Sequence, residues 1–169
     1  MKKIIVIMFA AAVITGALFY SRPAHAQFFM MENPLIGEVA PDFTRTTTSG
    51  AQKNMTDFRD GQNAIIFYWA TWCPHCREQL KELNKQKADL EARGIKLILV
   101  DVGENAAQVQ SYLKKNKIDM EVFLDTDSAL SDEYALIGVP SFFFVNKEGI
   151  VLDVLHGLPE SLDEIFGDV

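Results

Sequence analysis

The chain has two cysteines, Cys73 and Cys76, with two residues between them in Trp69-Ala-Thr-Trp72-Cys73-Pro74-His75-Cys76. The segment before them, Ala64 to Trp69, is a short unbroken apolar run of buried-strand type, and the segment from Pro74 to about Arg93 has helical spacing. The pair therefore sits on a strand-to-helix turn, which commits the surrounding chain to alternating strands and helices. At such a turn the sulfur of Cys73 meets unpaired backbone N–H groups and the positive end of the helix dipole, which favour thiolate over thiol. Pro74 suits the first helical turn, where its missing N–H costs nothing.

The rest of the chain continues the alternation. From Asp42 to Phe58 a Thr-rich run, the Ser49-Gly50 turn and Lys53-Asn54 predict a short hairpin. Helix 74–93 carries Cys76, Leu80, Leu83 and Leu90 at helical spacings, so Cys76 begins the inward face and Cys73 is expected at the exposed tip. Gly94 closes that helix, Ile95 to Val102 is a near-continuous apolar strand, and Asn105 to Lys115 is amphipathic with Val109, Tyr112 and Leu113 on one side. A strand near 121–124, a short helix near 128–136 and two strands at 141–146 and 150–155 follow. Pro159 is expected to open a last helix burying Leu162, Ile165 and Phe166.

Two motifs in this order resemble the thioredoxin superfamily: the Cys-Pro-His-Cys turn, and Gly138-Val139-Pro140-Ser141 followed by Phe142-Phe143-Phe144-Val145, which matches that family's cis-proline loop and next strand. Ala40-Pro41-Asp42-Phe43, Phe123-Leu-Asp125-Thr-Asp127 and Asn146-Lys-Glu-Gly149 are similar to its exported TlpA and ResA branch. The resemblance covers roughly residues 36 to 166. It implies a thioredoxin-like three-layer α/β/α sandwich with a mixed central sheet and an N-terminal hairpin extension. It also implies a cis Pro140 beside the reactive cysteine and a Val139 whose backbone faces substrate. Trp72 and Pro74 would join Val139 in a flat apolar docking surface. The chain departs from the family in three places: Phe67 stands where thioredoxin has a buried aspartate, Gln79 where ResA-like proteins have a glutamate, and Lys81 where thioredoxin has a kinking proline.

Lys2 and Lys3, an apolar stretch from Ile4 to Tyr20 and Ala24-His25-Ala26 have the layout of a signal peptide over residues 1–26, with an uncleaved membrane anchor as the alternative. A tether over 27–36 and one thioredoxin-like domain over 37–169 follow. This points to a periplasmic or otherwise extracytoplasmic protein. Loss of the leader removes Lys2, Lys3 and Arg22 and takes the formal charge from −7 to −10. So acidic a surface disfavours nucleic acid and anionic membranes as partners. The expected partners are proteins bearing cysteines or disulfides, together with a membrane redox protein that recharges the pair, and the chain is expected to act as a monomer.

In a dithiol of this spacing one thiolate attacks, a mixed disulfide forms, and the second thiol resolves it. Cys73 takes the first role and Cys76 the second. His75, between them, is placed to stabilise the Cys73 thiolate. A zinc site would need two further ligands, and no second cysteine pair exists. No metal and no cofactor are expected. The Pro-His dipeptide resembles DsbA-type oxidants, whereas the frame resembles the reducing branch, so the direction of electron flow stays open.

Two other functions compete. Ala40-Pro41-Asp42-Phe43 is shared with peroxiredoxin-type peroxidases, but these need a Thr or Ser three residues before the peroxidatic cysteine, where Ala70 precedes Cys73. A copper-binding thioredoxin-like module would add a distant histidine to the cysteines, for which His156 is the candidate.

Overall fold

The computed structural model describes residues 32–167; the leader expected over 1–26 and most of the tether lie outside the described residues. Five strands form one mixed sheet in the order β5-β4-β3-β6-β7: β3 (Asn63–Trp69), β4 (Ile95–Val102), β5 (Val122–Asp125), β6 (Ser141–Val145) and β7 (Val151–Leu155). The β3, β4 and β5 strands are parallel, while β6 and β7 run antiparallel to their neighbours. Ahead of the sheet, β1 (Thr44–Thr46) and β2 (Gln52–Asn54) make the expected hairpin, followed by the short α1 (Met55–Arg59).

Every residue of β3 is buried, because both faces of the sheet are covered. Ile65, Phe67 and Trp69 point into one apolar cluster, with Cys76, Leu80 and Leu83 of α2 (Pro74–Ala92) and Val109 and Leu113 of α3 (Ala106–Asn116). Ala64, Ile66 and Tyr68 point into the other, with Phe43, Met55 and, around α4 (Ala129–Glu133), Leu130 and Tyr134. Helices α2 and α3 both link parallel neighbours along the same direction of the sheet, and right-handed crossovers put both on one face. The layers are thus helix, sheet, and hairpin with helix. Phe67 stacks on Phe142 with ring centroids 4.3 Å apart, filling the place of thioredoxin's buried acid with apolar surface worth about 2 kcal/mol.

The hairpin is tied to the sheet by Glu121, immediately before β5. Its carboxylate accepts from Thr47 Oγ1 at 2.6 Å, Ser49 Oγ at 2.7 Å and Lys53 Nζ at 2.5 Å. Burial pushes this carboxyl up, but the hydrogen bonds from Lys53, Thr47 and Ser49 outweigh it and hold it at about 2. That lowered value contributes stability which is complete above the ordinary value of 4.5 and is lost as pH falls through about 2. Glu121→Gln is expected to destabilise the domain by about 1–2 kcal/mol at neutral pH, after allowance for solvent screening. Denaturant melts should show wild type and variant converging as pH falls from 4.5 toward 2; a pH-independent gap would mean that charge is not the cause.

Two expectations are corrected at the ends of the domain. Residues 33–36, expected in the tether, are turn residues fixed to the domain: Asn33 Nδ2 donates to Tyr134 O at 2.9 Å and Gly37 N–H to Val151 O at 2.8 Å. The last helix, α5 (Asp163–Phe166), begins four residues after Pro159, because the Ser161 hydroxyl accepts from Asp163 N–H at 3.2 Å and sets the first turn there. Leu162 is buried, while Ile165 and Phe166 are only half-buried, with Phe166 edge-on to Phe144.

Candidate active site

The chain leaves β3 at Trp69, turns through Ala70, Thr71 and Trp72, and enters α2 with Cys73 as its N-cap. Pro74 occupies the first turn without losing a hydrogen bond. The Cys73 sulfur accepts from Cys76 N–H at 3.1 Å, so the side chain of the cap is itself the reactive atom. No acidic side chain lies in the first turn of α2 to oppose a thiolate. Cys73 and Cys76 are joined as a disulfide with their Cα atoms 5.3 Å apart.

Cys76 is fully buried, as its inward spacing predicts. Cys73 is not the exposed tip expected from sequence; only 6% of it is accessible. The cover comes from the loop before β6, where the Val139–Pro140 bond is cis and Val139 O lies 3.8 Å from Cys73 Sγ. Ser141 Oγ donates to Gly138 O at 2.8 Å, and His156 Nδ1 lies 2.8 Å from Pro140 O, so the loop is held from both sides. The N–H of Val139 makes no backbone hydrogen bond among the described residues, which leaves it free to pair with an extended peptide. Around this opening Trp72 is 65% exposed and Ile137, just before the loop, 76%. With exposed Pro74 and half-buried Val139 they form an apolar rim.

His75 projects from the first turn of α2 into solvent, its Nδ1 3.4 Å from Glu78 Oε2. Glu78 faces His75 in this way, while Lys85 on the same helix pairs with Glu82 at 2.9 Å. Gln79 is turned the other way, its Oε1 accepting from Leu158 N–H at 3.1 Å, which fixes the segment after β7. Ala70 is buried and carries no hydroxyl to organise a peroxide.

Glu104 and Asp101 are two residues of this neighbourhood that the sequence analysis does not single out, and a third, His156, takes a different role. Glu104, buried between β4 and α3, accepts from Thr71 N–H at 2.5 Å and Thr71 Oγ1 at 2.6 Å and so anchors the loop that delivers Cys73. His156, the candidate histidine of a copper-binding module, instead lies against the Pro140 carbonyl at 2.8 Å and anchors the loop before β6. Asp101 lies at the end of β4, fully buried. The visible signal for Asp101 was a single acid inside an apolar run; for Glu104 and His156 there was none.

The model of the AhpC/TSA family matches residues 36–154, more than half of the chain. The thiol-disulfide oxidoreductase ResA of Bacillus subtilis (strain 168) is 29% identical over 133 residues, covering 79% of this chain and 74% of that protein. ResA of Geobacillus thermodenitrificans (strain NG80-2) is 25% identical over 158 residues, covering 93% and 86%. Among solved structures, StoA from Bacillus subtilis superposes with a TM-score of 0.61 at 26% identity, covering 75% of this chain and 94% of that one. Fold, disulfide turn and these matches agree, and the chain belongs to the AhpC/TSA family as a ResA-like member of the thioredoxin superfamily.

Proposed function

We propose that this thiol–disulfide oxidoreductase is exported, that it reduces disulfides of client proteins, cytochrome c maturation being one such use, and that a membrane redox partner recharges it. The observation that carries the reading is the Cys73–Cys76 pair at the N-terminus of α2, with Val139 O beside Cys73 and an apolar rim around it. In the reduced protein the Cys73 thiolate attacks a client disulfide. The client pairs as a strand with the Val139 backbone, and Cys76 then closes the internal bond and releases the reduced client. The leader expected over residues 1–26 supports export. Among the described residues no helix is long and apolar enough to cross a membrane.

Equilibration with glutathione or thioredoxin buffers tests the direction. A reduction potential near thioredoxin's, roughly −270 mV, is expected, and one near DsbA's, roughly −120 mV, would make the protein an oxidant. His75 enters the same measurement. A protonated imidazole near Cys73 stabilises the reduced form and raises the potential, so His75→Ala should lower it. Because the ring is exposed and engaged with Glu78, the shift is expected to be at most about 30 mV. Equal potentials in the two proteins would leave the helix terminus as the stabiliser.

A further inference from the structure

His156 stands just past the end of β7, beside the start of β6, because Leu155 pairs with Phe142 across the sheet. Its ring is exposed, yet Nδ1 faces two oxygens of the loop that carries Pro140. Pro140 O lies at 2.8 Å and Ser141 Oγ at 3.3 Å. A carbonyl oxygen only accepts, so Nδ1 carries a proton and donates it. This tautomer orders the rest of the network, since a hydroxyl approached by a donor turns its own proton elsewhere. Ser141, of which 1% is accessible, turns it to Gly138 O at 2.8 Å.

Gly138 O belongs to the peptide unit whose other end is the Val139 N–H. That unit is planar and trans, so its carbonyl and its N–H point in opposite directions. Holding Gly138 O on the buried Ser141 hydroxyl therefore aims the Val139 N–H to the other side, where it has no backbone partner among the described residues. The donors run in one line, from His156 Nδ1–H to Ser141 Oγ–H to Gly138 O, and the Val139 N–H is its outer end. Each bond in such a line polarises the next and strengthens the last donor.

We propose that His156 is a positioning residue for client recognition: through Ser141 and Gly138 it holds the Val139 N–H in the direction from which the backbone carbonyl of an extended client segment takes it. The proposal rests on the exchange reading above. Without His156 the Ser141 hydroxyl is free to rotate, Pro140 O loses this donor, and the Gly138–Val139 unit is no longer held in one orientation. The sulfur chemistry stays with Cys73 and Cys76, so His156 acts on how a client strand is seated and not on the bonds that form and break. A small reductant, which offers no strand to pair with Val139, bypasses the device.

The test separates the protein client from the small reductant, using the full-length protein. Insulin serves as the protein disulfide with dithiothreitol recharging the pair, and opening of the Cys73–Cys76 bond by dithiothreitol alone is followed by tryptophan fluorescence. His156→Ala is expected to raise the KM for insulin about fivefold, while kcat and the dithiothreitol rate stay within about twofold of wild type. His156→Asn, whose Nδ2 takes the place of Nδ1 and donates, is expected to return the KM to within about twofold. An unchanged KM in His156→Ala, an equal slowing of the dithiothreitol step, or no rescue by asparagine overturns the proposal. Nuclear magnetic resonance of the imidazole nitrogens in the wild type gives a readout that needs no variant. At about pH 9, where an ordinary imidazole is neutral, the Nδ1–H tautomer of His156 is expected. The Nε2–H tautomer overturns the proposal, because a bare Nδ1 cannot donate to Pro140 O. Should the wild type reduce no insulin, the exchange reading fails and this inference with it; an active wild type with an unaffected His156→Ala removes the inference alone.

Discussion

Cys73→Ser is expected to reduce exchange with a protein disulfide to the uncatalysed level, while Cys76→Ser keeps the first step and accumulates a mixed disulfide with the client. The asymmetry follows from placement. Cys73 caps α2, takes the Cys76 N–H at 3.1 Å, and borders the Val139 carbonyl and the apolar rim where a client strand would lie. Cys76 is one turn inward with no exposed surface, so an external disulfide cannot reach it. Mass spectrometry of each variant after incubation with an oxidised client checks this. An adduct on Cys73→Ser and none on Cys76→Ser reverses the two roles. Neither variant should lose much stability, since a bridge that closes so short a loop constrains the unfolded chain little.

The parts of the fold governed by local rules were legible in sequence. Strand β4 was expected over 95–102 and is Ile95–Val102; helix α2 was expected over 74–93 and is Pro74–Ala92. A strand covered on both faces shows as an unbroken apolar run, and the proline and glycine that bound α2 act at their own positions, with Gly94 taking the left-handed φ of +67° that ends the helix. What failed depended on contacts distant in the chain. The near-closure of Cys73 comes from Val139, 66 residues away, and the docking of Asn33 from Tyr134, 101 residues away. The roles of Glu104 and His156 exist only as hydrogen bonds to Thr71 and Pro140, and neither has a spacing that marks it. Asp101 is visible as an acid in an apolar strand, but its lack of a hydrogen-bond partner among the described residues is a property of packing alone.

The same carboxyl makes stability fall as pH rises, and Asp101→Asn should abolish most of that slope. Burial, with Glu104 beside it, raises the Asp101 carboxyl from the ordinary 3.8 to about 8. Between those values the folded protein keeps a proton that the unfolded chain has released, so each pH unit favours unfolding. The stability associated with the neutral acid is complete below 3.8 and is lost as pH rises through about 8. A raised value of this size corresponds to a decline of up to about 5 kcal/mol across the window, a large fraction of a typical domain's stability. Asparagine cannot ionise and has nearly the same shape, so the variant should match wild type or fall slightly below it near pH 4, and exceed it by several kcal/mol near pH 9. Urea melts of the oxidised proteins at the two pH values measure this directly. Parallel pH profiles would show that Asp101 ionises normally in the folded protein.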